Sequence, residues 1–373
     1  MKCPYCGSSA TKEFFRADMP NILTACPLEM HDRVKRHTFS ARLCGECLLG
    51  FNSSRLSNEE LSAIYDDYLY ISPRRGIGQS KYEDMIGTLE RTFLRDQKIV
   101  EVGCSEGYLL HHLKRAGFRD LSGFEPGPQA VEAEALGLDI TRSYFEDGSL
   151  PDGSVDGFYL MHVFEHFPDP FAVLAAMRQA LSSGGSIVIE VPRLDGFHHQ
   201  HLYFYSAPFM RRLAREQDLK IVDIDPASPF ILRIVLAHKS DLRPEAETVS
   251  EDVAALAARR QEVFRTSLAR LDRIMEEYRE KTVLWWGTGS QAVLLLNQVD
   301  TTRLSAVNLE VTDGDERKWG YRLPCLNLPV KTYHGLSGQT IDCVVIASQF
   351  EHEIRQTMES IGLKAGQVEV FSE

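Results

Sequence analysis

The stretch KIVEVGCSEGYLLHHLKRAG, residues 98–117, decides the fold of this 373-residue chain. It opens with the apolar run of a short buried strand, turns at Gly103 and Gly107, and continues with the apolar spacing of an amphipathic helix. Glu101 precedes the first glycine, so the pattern is E-x-G-x-x-x-G and not G-x-G-x-x-G. Glycines at a strand-to-helix turn let a ligand approach the backbone closely. The stretch therefore predicts an α/β fold that binds a nucleoside-type ligand here.

Further strands and helices follow in the order of a doubly wound sheet. Residues 121–126 (LSGFEP) predict a second strand that ends in Glu125, where an acidic group suits a ribose diol. Phe145 and Glu146 are candidates to flank an adenine. The fourth and fifth strands of the series are predicted at VDGFYLMHV (155–163) and GGSIVIEVP (184–192).

This series, together with HVFEHFPDP at 162–170, resembles class I S-adenosylmethionine (SAM)-dependent methyltransferases over residues 99–240. An NAD enzyme is the alternative, but it needs a glycine-richer loop to hold a pyrophosphate on a helix N-terminus. SAM has no phosphate. The resemblance implies SAM as cofactor, held by Glu101, Gly103, Gly107, Glu125, Phe145, Glu146 and His162.

The N-terminal cysteines form two pairs with zinc-knuckle spacing. Cys3 and Cys6 make CPYC, and Cys44 and Cys47 make CGEC. Two such pairs complete a tetrahedral Zn²⁺ shell, which leaves no open position for catalysis. Residues 1–55 are therefore predicted to be a structural zinc module that carries an insertion. The remaining cysteines are scattered singly and are expected to be buried hydrophobes: Cys26, Cys104, Cys325 and Cys343.

The rest of the chain divides into three predicted segments. Residues 56–98 read as connecting helices, and residues 245–281 as one long amphipathic linker helix. Residues 282–373 begin with a second strand–turn–helix unit that carries G-x-G-x-x-A from Gly287, and Asp313 can end its next strand. A degenerate Rossmann-like domain fits this pattern. It either grips a substrate nucleotide or only supports the fold, because fold alone does not fix function.

Composition limits the partners. The formal net charge is −12 and the pI is near 5.5, and no basic stripe offsets this charge, so nucleic acid is not expected as a partner. No window reaches the roughly 18 apolar residues of a membrane span, so we expect no membrane association and a cytoplasmic protein. Tyr70 and the segment 72–83, which holds two arginines, read as a loop that either meets a diphosphate or is solvated.

The order of zinc module, SAM fold and Rossmann-like domain resembles the deoxysugar C-methyltransferases, which methylate a nucleotide-linked 4-keto-deoxysugar at C3. The stretch WWGTGSQAVLLLN (285–297) resembles that family's third domain. The family's usual lysine is missing from the glycine turn, which reads TGSQ at 288–291 here. The resemblance implies a nucleotide sugar as the small-molecule substrate and a role in deoxysugar biosynthesis.

The segment FHHQHLYFYS (197–206) matches the family's histidine motif. His201 falls on the family's proposed general base, His198 replaces a tyrosine, and Gln200 replaces a glutamate. A base poised near neutral pH removes a proton α to a ketone while a donor stabilises the enolate oxygen, and histidine suits that task. His201, His198 and His199 are the predicted catalytic residues.

Two other interpretations of this cluster stay open. His199 and His201 are candidates for a second metal site, although no carboxylate neighbours them in sequence. The histidines are otherwise structural, packed among aromatic side chains. His162 and His166 lie at the same predicted sheet edge and are candidates to line the methyl-transfer site. The rival functions are an O- or N-methyltransferase on a sugar or natural-product acceptor, and a non-catalytic SAM-binding module.

Overall fold

Three β-sheets organise the part of the chain that the computed structural model describes, which is residues 1–54, 72–75, 79–196, 198–225, 230–248 and 250–371. The N-terminal sheet is antiparallel. Its strands are β1 (Thr11–Pro20), β2 (Arg36–Cys44) and β3 (Gly50–Asn52), and a fourth strand, Tyr203–Phe204, reaches it from far along the chain. Thr11 of β1 pairs with Cys44 of β2, so this register brings the CPYC and CGEC pairs to one end of the hairpin.

The central sheet has seven strands and holds helices on both faces. Its elements, with the strand that joins the N-terminal sheet, are α1 (Gln79–Thr92), β4 (Lys98–Val102), α2 (Tyr108–Arg115), β5 (Asp120–Phe124), α3 (Ala130–Ala135), β6 (Asp139–Thr141), β7 (Val155–Met161), α4 (Pro170–Ala180), β8 (Leu181–Pro192), β9 (Tyr203–Phe204), α5 (Ala207–Glu216), β10 (Leu219–Asp225) and β11 (Ile231–His238).

The strand order of this sheet is β10-β11-β8-β7-β4-β5-β6. The strands from β4 to β8 pair in parallel, and β11 runs antiparallel to both of its neighbours. The chain moves outward from β4 through β5 and β6, then returns to β7 on the other side of β4. The carboxyl ends of β4 and β7 therefore flank a topological switch point, where ligands of such sheets bind. The predicted α/β doubly wound fold is confirmed.

The first strand and helix form as their apolar patterns predict. Ile99 and Val100 of β4 are fully buried, and the apolar face of α2 buries Leu109, Leu110 and Leu113 against the sheet. Burial of such side chains stabilises the fold by roughly 1.5–3 kcal/mol each.

The C-terminal sheet is parallel throughout, with strand order β14-β13-β12-β15-β16. This part of the chain consists of α6 (Val253–Glu277), β12 (Thr282–Trp286), α7 (Ser290–Leu296), α8 (Thr301–Leu304), β13 (Asn308–Thr312), β14 (Val330–Lys331), β15 (Thr340–Ile346), α9 (Glu351–Ser360) and β16 (Lys364–Val370). Short 3₁₀ turns occur at Leu28–Arg33, Pro73–Arg75, Phe164–His166, Glu316–Lys318 and Tyr333–Leu336.

Helix α6 is shorter than the predicted helix at 245–281. It begins after Asp252, whose carboxylate accepts a hydrogen bond of 3.0 Å from the backbone N–H of Ala255 and caps the first turn. Upstream, Glu245 forms an ion pair of 2.7 Å with Arg211 of α5, which holds this part of the chain against the central domain in an irregular conformation.

The segment before β4 also differs from its prediction. Tyr70 and most of the predicted connecting helices lie outside the described residues. Helix α1 begins at Gln79, so the end of the predicted loop at 72–83 is helical. Arg74 lies 3.7 Å from the carboxylate of Glu132, at the surface.

The N-terminal sheet packs against both other parts of the chain. Cys3 and Cys44 belong to the core of the central sheet, whereas Phe15 packs on Phe264 of α6 with ring centroids 5.0 Å apart. The hydroxyl of Thr24 donates a hydrogen bond of 2.9 Å to the carbonyl of Thr288 in the turn after β12. Among the described helices, we find none with the length and apolar character needed to span a bilayer.

Candidate active site

One cavity of about 1250 Å³ lies between the carboxyl ends of the central and C-terminal strands. Its wall combines the turn after β4, the loop after β7, part of the histidine segment and the turn after β12. Leu23 and Thr24 of the N-terminal module also reach it. The cavity therefore occupies the switch point of the central sheet and is the candidate active site.

Two glycines shape the turn after β4. Gly103 and Gly107 have left-handed φ angles of +77° and +72°. A Cβ atom at Gly103 would lie 2.5 Å from Cγ2 of Val163, and one at Gly107 would lie 2.5 Å from Cδ1 of Leu138. Both the backbone conformation and the packing thus require glycine. The room that the missing side chains leave is used by neighbouring protein side chains.

Two acidic residues border this turn, and they differ in burial and in hydrogen-bond partners. Glu125 is fixed at the wall, because its two carboxylate oxygens accept hydrogen bonds of 2.8 Å from the N–H of Ser105 and 2.7 Å from the N–H of Gly127. Each oxygen keeps a further lone pair, as a ribose diol requires. Glu101 is buried and accepts a hydrogen bond of 2.9 Å from the Tyr159 hydroxyl. Burial, and secondarily the nearby Glu125 carboxylate, raises the pKa of Glu101 well above its usual range.

Of the two residues predicted to flank an adenine, Phe145 lines the cavity and Glu146 does not. Phe145 is buried and lines the cavity, with its ring 5.2 Å from that of Phe124 and 5.4 Å from that of Phe158. Glu146 is exposed and does not belong to the described lining of the cavity. Tyr144, which the sequence did not single out, lines the cavity and is 68% exposed.

His162 directly follows strand β7 in a left-handed conformation with φ +54°, which is uncommon for a residue other than glycine. Its ring lines the cavity, and its Nε2 atom lies 3.1 Å from Oε1 of Glu190. The other oxygen of Glu190 forms an ion pair of 2.6 Å with Arg233. This buried pair, from β8 and β11, supports the loop that carries His162.

A buried carboxylate lies beside three imidazoles in this loop. Glu165 is 1% exposed, and its Oε1 atom is 3.6 Å from Nδ1 of His162 and 3.9 Å from Nε2 of both His166 and His201. Among the described residues, no donor makes a hydrogen bond to either carboxylate oxygen. Burial lowers the pKa of His166 and lowers that of His201 well below its usual range. We call Glu165, His162, His166 and His201 the Glu165 cluster, and all four line the cavity.

The structure assigns the tautomer of His201. Its Nδ1 atom accepts a hydrogen bond of 3.1 Å from the backbone N–H of His198, and a backbone N–H can only donate. The neutral ring therefore carries its proton on Nε2, which faces Glu165. A ring in this state presents a donor at Nε2, which does not fit the predicted role of His201 as a base at that atom.

The other members of the histidine segment point in different directions. His198 lines the cavity, and its Nδ1 atom lies 2.8 Å from the hydroxyl of Ser290 at the start of α7. Gln200 is buried and also lines the cavity. His199 faces the N-terminal sheet, with its ring 6.1 Å from those of His37 and Phe39, and it borders a separate, smaller cavity.

The C-terminal sheet supplies the opposite wall. Asp313, directly after β13, accepts hydrogen bonds of 2.7 and 2.6 Å from the backbone N–H and hydroxyl of Thr288, and Lys318 lies 3.2 Å from the same oxygen. Burial disfavours its charged form, but Lys318 and the Thr288 hydrogen bonds hold the pKa of Asp313 below its usual value. Asp313 thus fastens the glycine turn and pairs with Lys318 at the cavity wall.

The four predicted zinc ligands lie together. The Sγ atoms of Cys3 and Cys47 are 3.6 Å apart, as are those of Cys6 and Cys44, and all four lie within 4.8 Å of one another. A tetrahedron with Zn–S bonds of about 2.3 Å has S–S edges of roughly 3.8 Å. Four thiolates in this arrangement therefore fit a zinc ion.

Comparison with known proteins finds similarity in the part of the chain that forms the central sheet. The family model described as a methyltransferase domain matches residues 75–224. Curated relatives include the tRNA U34 carboxymethyltransferases of Campylobacter hominis, 26% identical over 117 residues, and Dichelobacter nodosus, 33% identical over 107 residues. These alignments cover 28% and 27% of this chain and 39% and 34% of the two relatives, so the chain spans well under two thirds of their length.

Similar solved structures include a SAM-dependent methyltransferase from Mesorhizobium loti, with 14% identity and a TM-score of 0.36, covering 40% of this chain and 95% of that one. Another is a geranyl diphosphate C-methyltransferase from Streptomyces coelicolor A3(2), with 11% identity and a TM-score of 0.38, covering 48% of this chain and 83% of that one. The family match and the strand order define residues 75–224 as a class I SAM-dependent methyltransferase domain.

Several residues of the site were missed by sequence reasoning. Glu165 stands between His162 and His166 in HVFEHFPDP, directly after a predicted strand, and that position was the available signal. Ser290 and Lys318 gave no such signal, because they meet the cavity only through the packing of the C-terminal sheet on the central one.

Proposed function

We propose that this chain is a SAM-dependent C-methyltransferase that acts on the carbon next to the keto group of a nucleotide-linked deoxysugar. The observation that carries the proposal is a single cavity whose wall includes the turn after β4, the Glu165 cluster and the glycine turn after β12. Sites for a single small ligand enclose roughly 300–1,000 Å³. At about 1250 Å³, this cavity suits a methyl donor together with a second ligand.

The proposed binding arrangement follows the walls of the cavity. Glu125 and Phe145 hold the nucleoside of SAM, and Gly103 and Gly107 keep the turn beneath it in shape. Bound SAM supplies an electrophilic methyl group on sulfur. The acceptor lies between this turn and the C-terminal sheet, where Lys318, already paired with Asp313, can also contact an anionic group. Glu146, at the surface, is left out of the proposed site.

His201 is proposed to act on the acceptor as a hydrogen-bond donor. Its Nε2–H points into a buried site, where a fixed donor stabilises negative charge that develops on a keto oxygen. Loss of an α proton from a ketone creates such charge. His198 is proposed to position the segment through Ser290, and His199 to have a structural role.

We further propose that the N-terminal module binds a structural zinc ion through Cys3, Cys6, Cys44 and Cys47. The close spacing of the four sulfur atoms supports this proposal. Three of these cysteines, Cys3, Cys44 and Cys47, are packed in the core of the central sheet, so the ion would tie the module to the methyltransferase domain.

The experiment that tests the function is an incubation in heavy water. The protein is mixed with SAM and a set of thymidine, uridine and cytidine diphosphate 4-keto-deoxysugars that carry a proton at C3, and the products are read by mass spectrometry and proton NMR. A gain of one methyl group on carbon, with loss of the C3 proton signal, is expected. Methyl transfer to oxygen or nitrogen instead would favour the rival acceptor class, and failure to bind SAM in calorimetry would favour the non-catalytic module.

A tRNA substrate is the second candidate, and the names of the relatives favour it. Those alignments cover little more than a quarter of this chain, and its net charge of −12 disfavours binding to a polyanion. Transfer of label from SAM to unmodified tRNA, with no transfer to the sugar nucleotides, would establish this candidate in place of the first.

A further inference from the structure

We infer that Glu165 is the general base that removes the proton from the acceptor carbon, and that His201 acts beside it as the donor to the keto oxygen. This inference rests on the proposed C-methyl transfer. It reassigns the proton-accepting role from the histidine segment to the loop after β7.

The surroundings of Glu165 are those expected of a general base. Its carboxylate is buried, lines the cavity, and receives no hydrogen bond from the described residues. A buried carboxylate without a donor is costly, so structural carboxylates are normally hydrogen-bonded or paired. Glu190, its buried neighbour in the same region, shows that normal pattern through its ion pair with Arg233. Glu165 differs because neither of its oxygens has such a partner among the described residues, although the residue lines the cavity.

Two of the three neighbouring rings, those of His166 and His201, do not supply the missing charge. Burial keeps the pKa of His166 and His201 low, so both rings are neutral at neutral pH. The rings of His166 and His201 therefore lie beside the carboxylate without a charge, and water is largely excluded from it because Glu165 is 1% exposed.

The state of His201 completes the pair. Because Nδ1 is occupied by the N–H of His198, Nε2 carries the proton and has no lone pair in the ring plane with which to accept another. Its Nε2 atom and Oε1 of Glu165 are 3.9 Å apart. Two groups at this spacing can contact one keto group and its adjacent carbon at once, the donor at the oxygen and the base at the C–H. Gln200, which lies between His199 and His201, cannot take a proton at neutral pH.

The chemical step balances with these two residues. An oxygen of Glu165 takes the proton from the carbon next to the keto group, and the electron pair moves into the enolate, whose oxygen accepts from His201 Nε2–H. The nucleophilic carbon then forms a bond to the methyl carbon as the bond from that methyl to sulfur breaks. The products are the methylated ketone, the neutral thioether and a protonated Glu165, which returns its proton to water when the product leaves.

The first test is proton exchange without methyl transfer. The protein is incubated in heavy water with S-adenosylhomocysteine and the sugar nucleotide that the wild type methylates, and loss of the C3 proton signal is followed by NMR. Glu165→Gln keeps the size of the side chain and removes its basicity. We expect its exchange rate to fall by about 10²–10⁴-fold. Exchange within about threefold of wild type would overturn the inference.

A control variant separates loss of the base from general damage. Glu251→Gln changes another largely buried carboxylate, which accepts a hydrogen bond of 2.8 Å from the N–H of Ala207 outside the cavity lining, and should leave exchange unchanged. Calorimetric affinity for S-adenosylhomocysteine checks that each variant is folded. If the wild type neither exchanges nor methylates any keto sugar, the proposed function itself fails; if it does both and Glu165→Gln does too, only this inference fails.

The role of His201 has its own comparison. The amide of glutamine can place an N–H close to the position of Nε2, whereas leucine cannot. His201→Gln should therefore keep at least about tenfold more exchange than His201→Leu. If His201 were the base, both variants would lose exchange equally, because neither side chain can accept a proton at neutral pH.

Two measurements that need no substrate complete the test. ¹⁵N NMR of the histidine rings should show the Nε2–H tautomer for His201, and the Nδ1–H tautomer would overturn its assignment as a donor. A rival occupant of the Glu165 cluster is a divalent metal ion, which would take the Nε2 lone pair of His201. Metal analysis should give about one ion per chain, from the four cysteines. A second ion that Glu165→Gln removes would overturn the inference.

Discussion

Substitution of Gly103 by alanine should destabilise the turn after β4 through two separate physical effects. The φ angle of +77° disfavours any side chain, which costs about 1–2 kcal/mol. The added Cβ would also lie 2.5 Å from Cγ2 and 2.8 Å from Cγ1 of Val163, and overpacking of this kind costs about 1–3 kcal/mol. The total is about 2–5 kcal/mol. Since a domain of this size loses about 2–4 °C per kcal/mol, the melting temperature of the central domain should fall by roughly 4–20 °C.

A matched variant isolates the second effect. Gly148 has a φ angle of +76°, but a Cβ there meets no atom within 4 Å. Gly148→Ala should therefore show only the backbone cost of about 1–2 kcal/mol. In the Gly103→Ala background, Val163→Ala should recover part of the loss, because the nearest remaining atom of Val163 would be its Cβ at 3.2 Å.

The assay is thermal unfolding followed by far-ultraviolet circular dichroism, together with calorimetry of SAM binding. All three tryptophans, Trp285, Trp286 and Trp319, lie in the C-terminal part of the chain, so their fluorescence reports on that part separately. The turn that Gly103 shapes borders the SAM site, and SAM affinity should fall with the melting temperature. Equal melting temperatures for Gly103→Ala and Gly148→Ala would refute the claim that contact with Val163 restricts this position.

Three further outcomes are expected. Cys44→Ser should reduce the zinc content from about one ion per chain to nearly none and lower the melting temperature. Cys325→Ser should do neither, because Cys325, which the sequence wrongly predicted to be buried, is exposed; metal analysis and melting check both. Burial raises the pKa of Glu101, so the folded state holds this proton more tightly than the unfolded state, and the resulting stability is lost as pH rises above the ordinary carboxyl pKa. Glu101→Gln should therefore lose less stability than wild type between about pH 5 and pH 8. If the melting temperatures of the two proteins fell equally across that pH range, the prediction would be contradicted. His199→Leu should keep methyl transfer, because this ring faces the N-terminal sheet, and initial rates as low as those of His201→Leu would place it in the reaction instead.

Much of the central fold could be predicted because its signals are local. The apolar run of β4, the glycines after it and the apolar face of α2 lie within one short stretch of sequence. The position of Glu125 follows from the same logic, since it directly succeeds a buried strand. The four cysteines were equally accessible, because each pair has its own spacing and only one pairing partner was needed.

The geometry of the candidate site could not be predicted in the same way. The spacing of His199 and His201 does not reveal that one ring faces the cavity and the other the N-terminal sheet, because an irregular segment has no fixed periodicity. Glu165 was hidden for a related reason: its importance comes from His201, which is distant in sequence and close in space. The start of α6 depends on Asp252 as cap, and on Glu245, whose ion pair with Arg211 is a long-range contact.

The pairing of β9 with β3 has a consequence for synthesis of the chain. Gly50 and Phe51 of β3 pair with Phe204 and Tyr203 of β9. Strand β9 leaves the ribosome only after most of the methyltransferase domain has been made. The module that holds β3 therefore cannot close its sheet before β9 has been made, although domains usually fold in the order of their synthesis. Until then β3 presents an open edge, with the hazard of pairing with other chains. A metal ion that had already joined the two cysteine pairs would hold the hairpin in register during that interval.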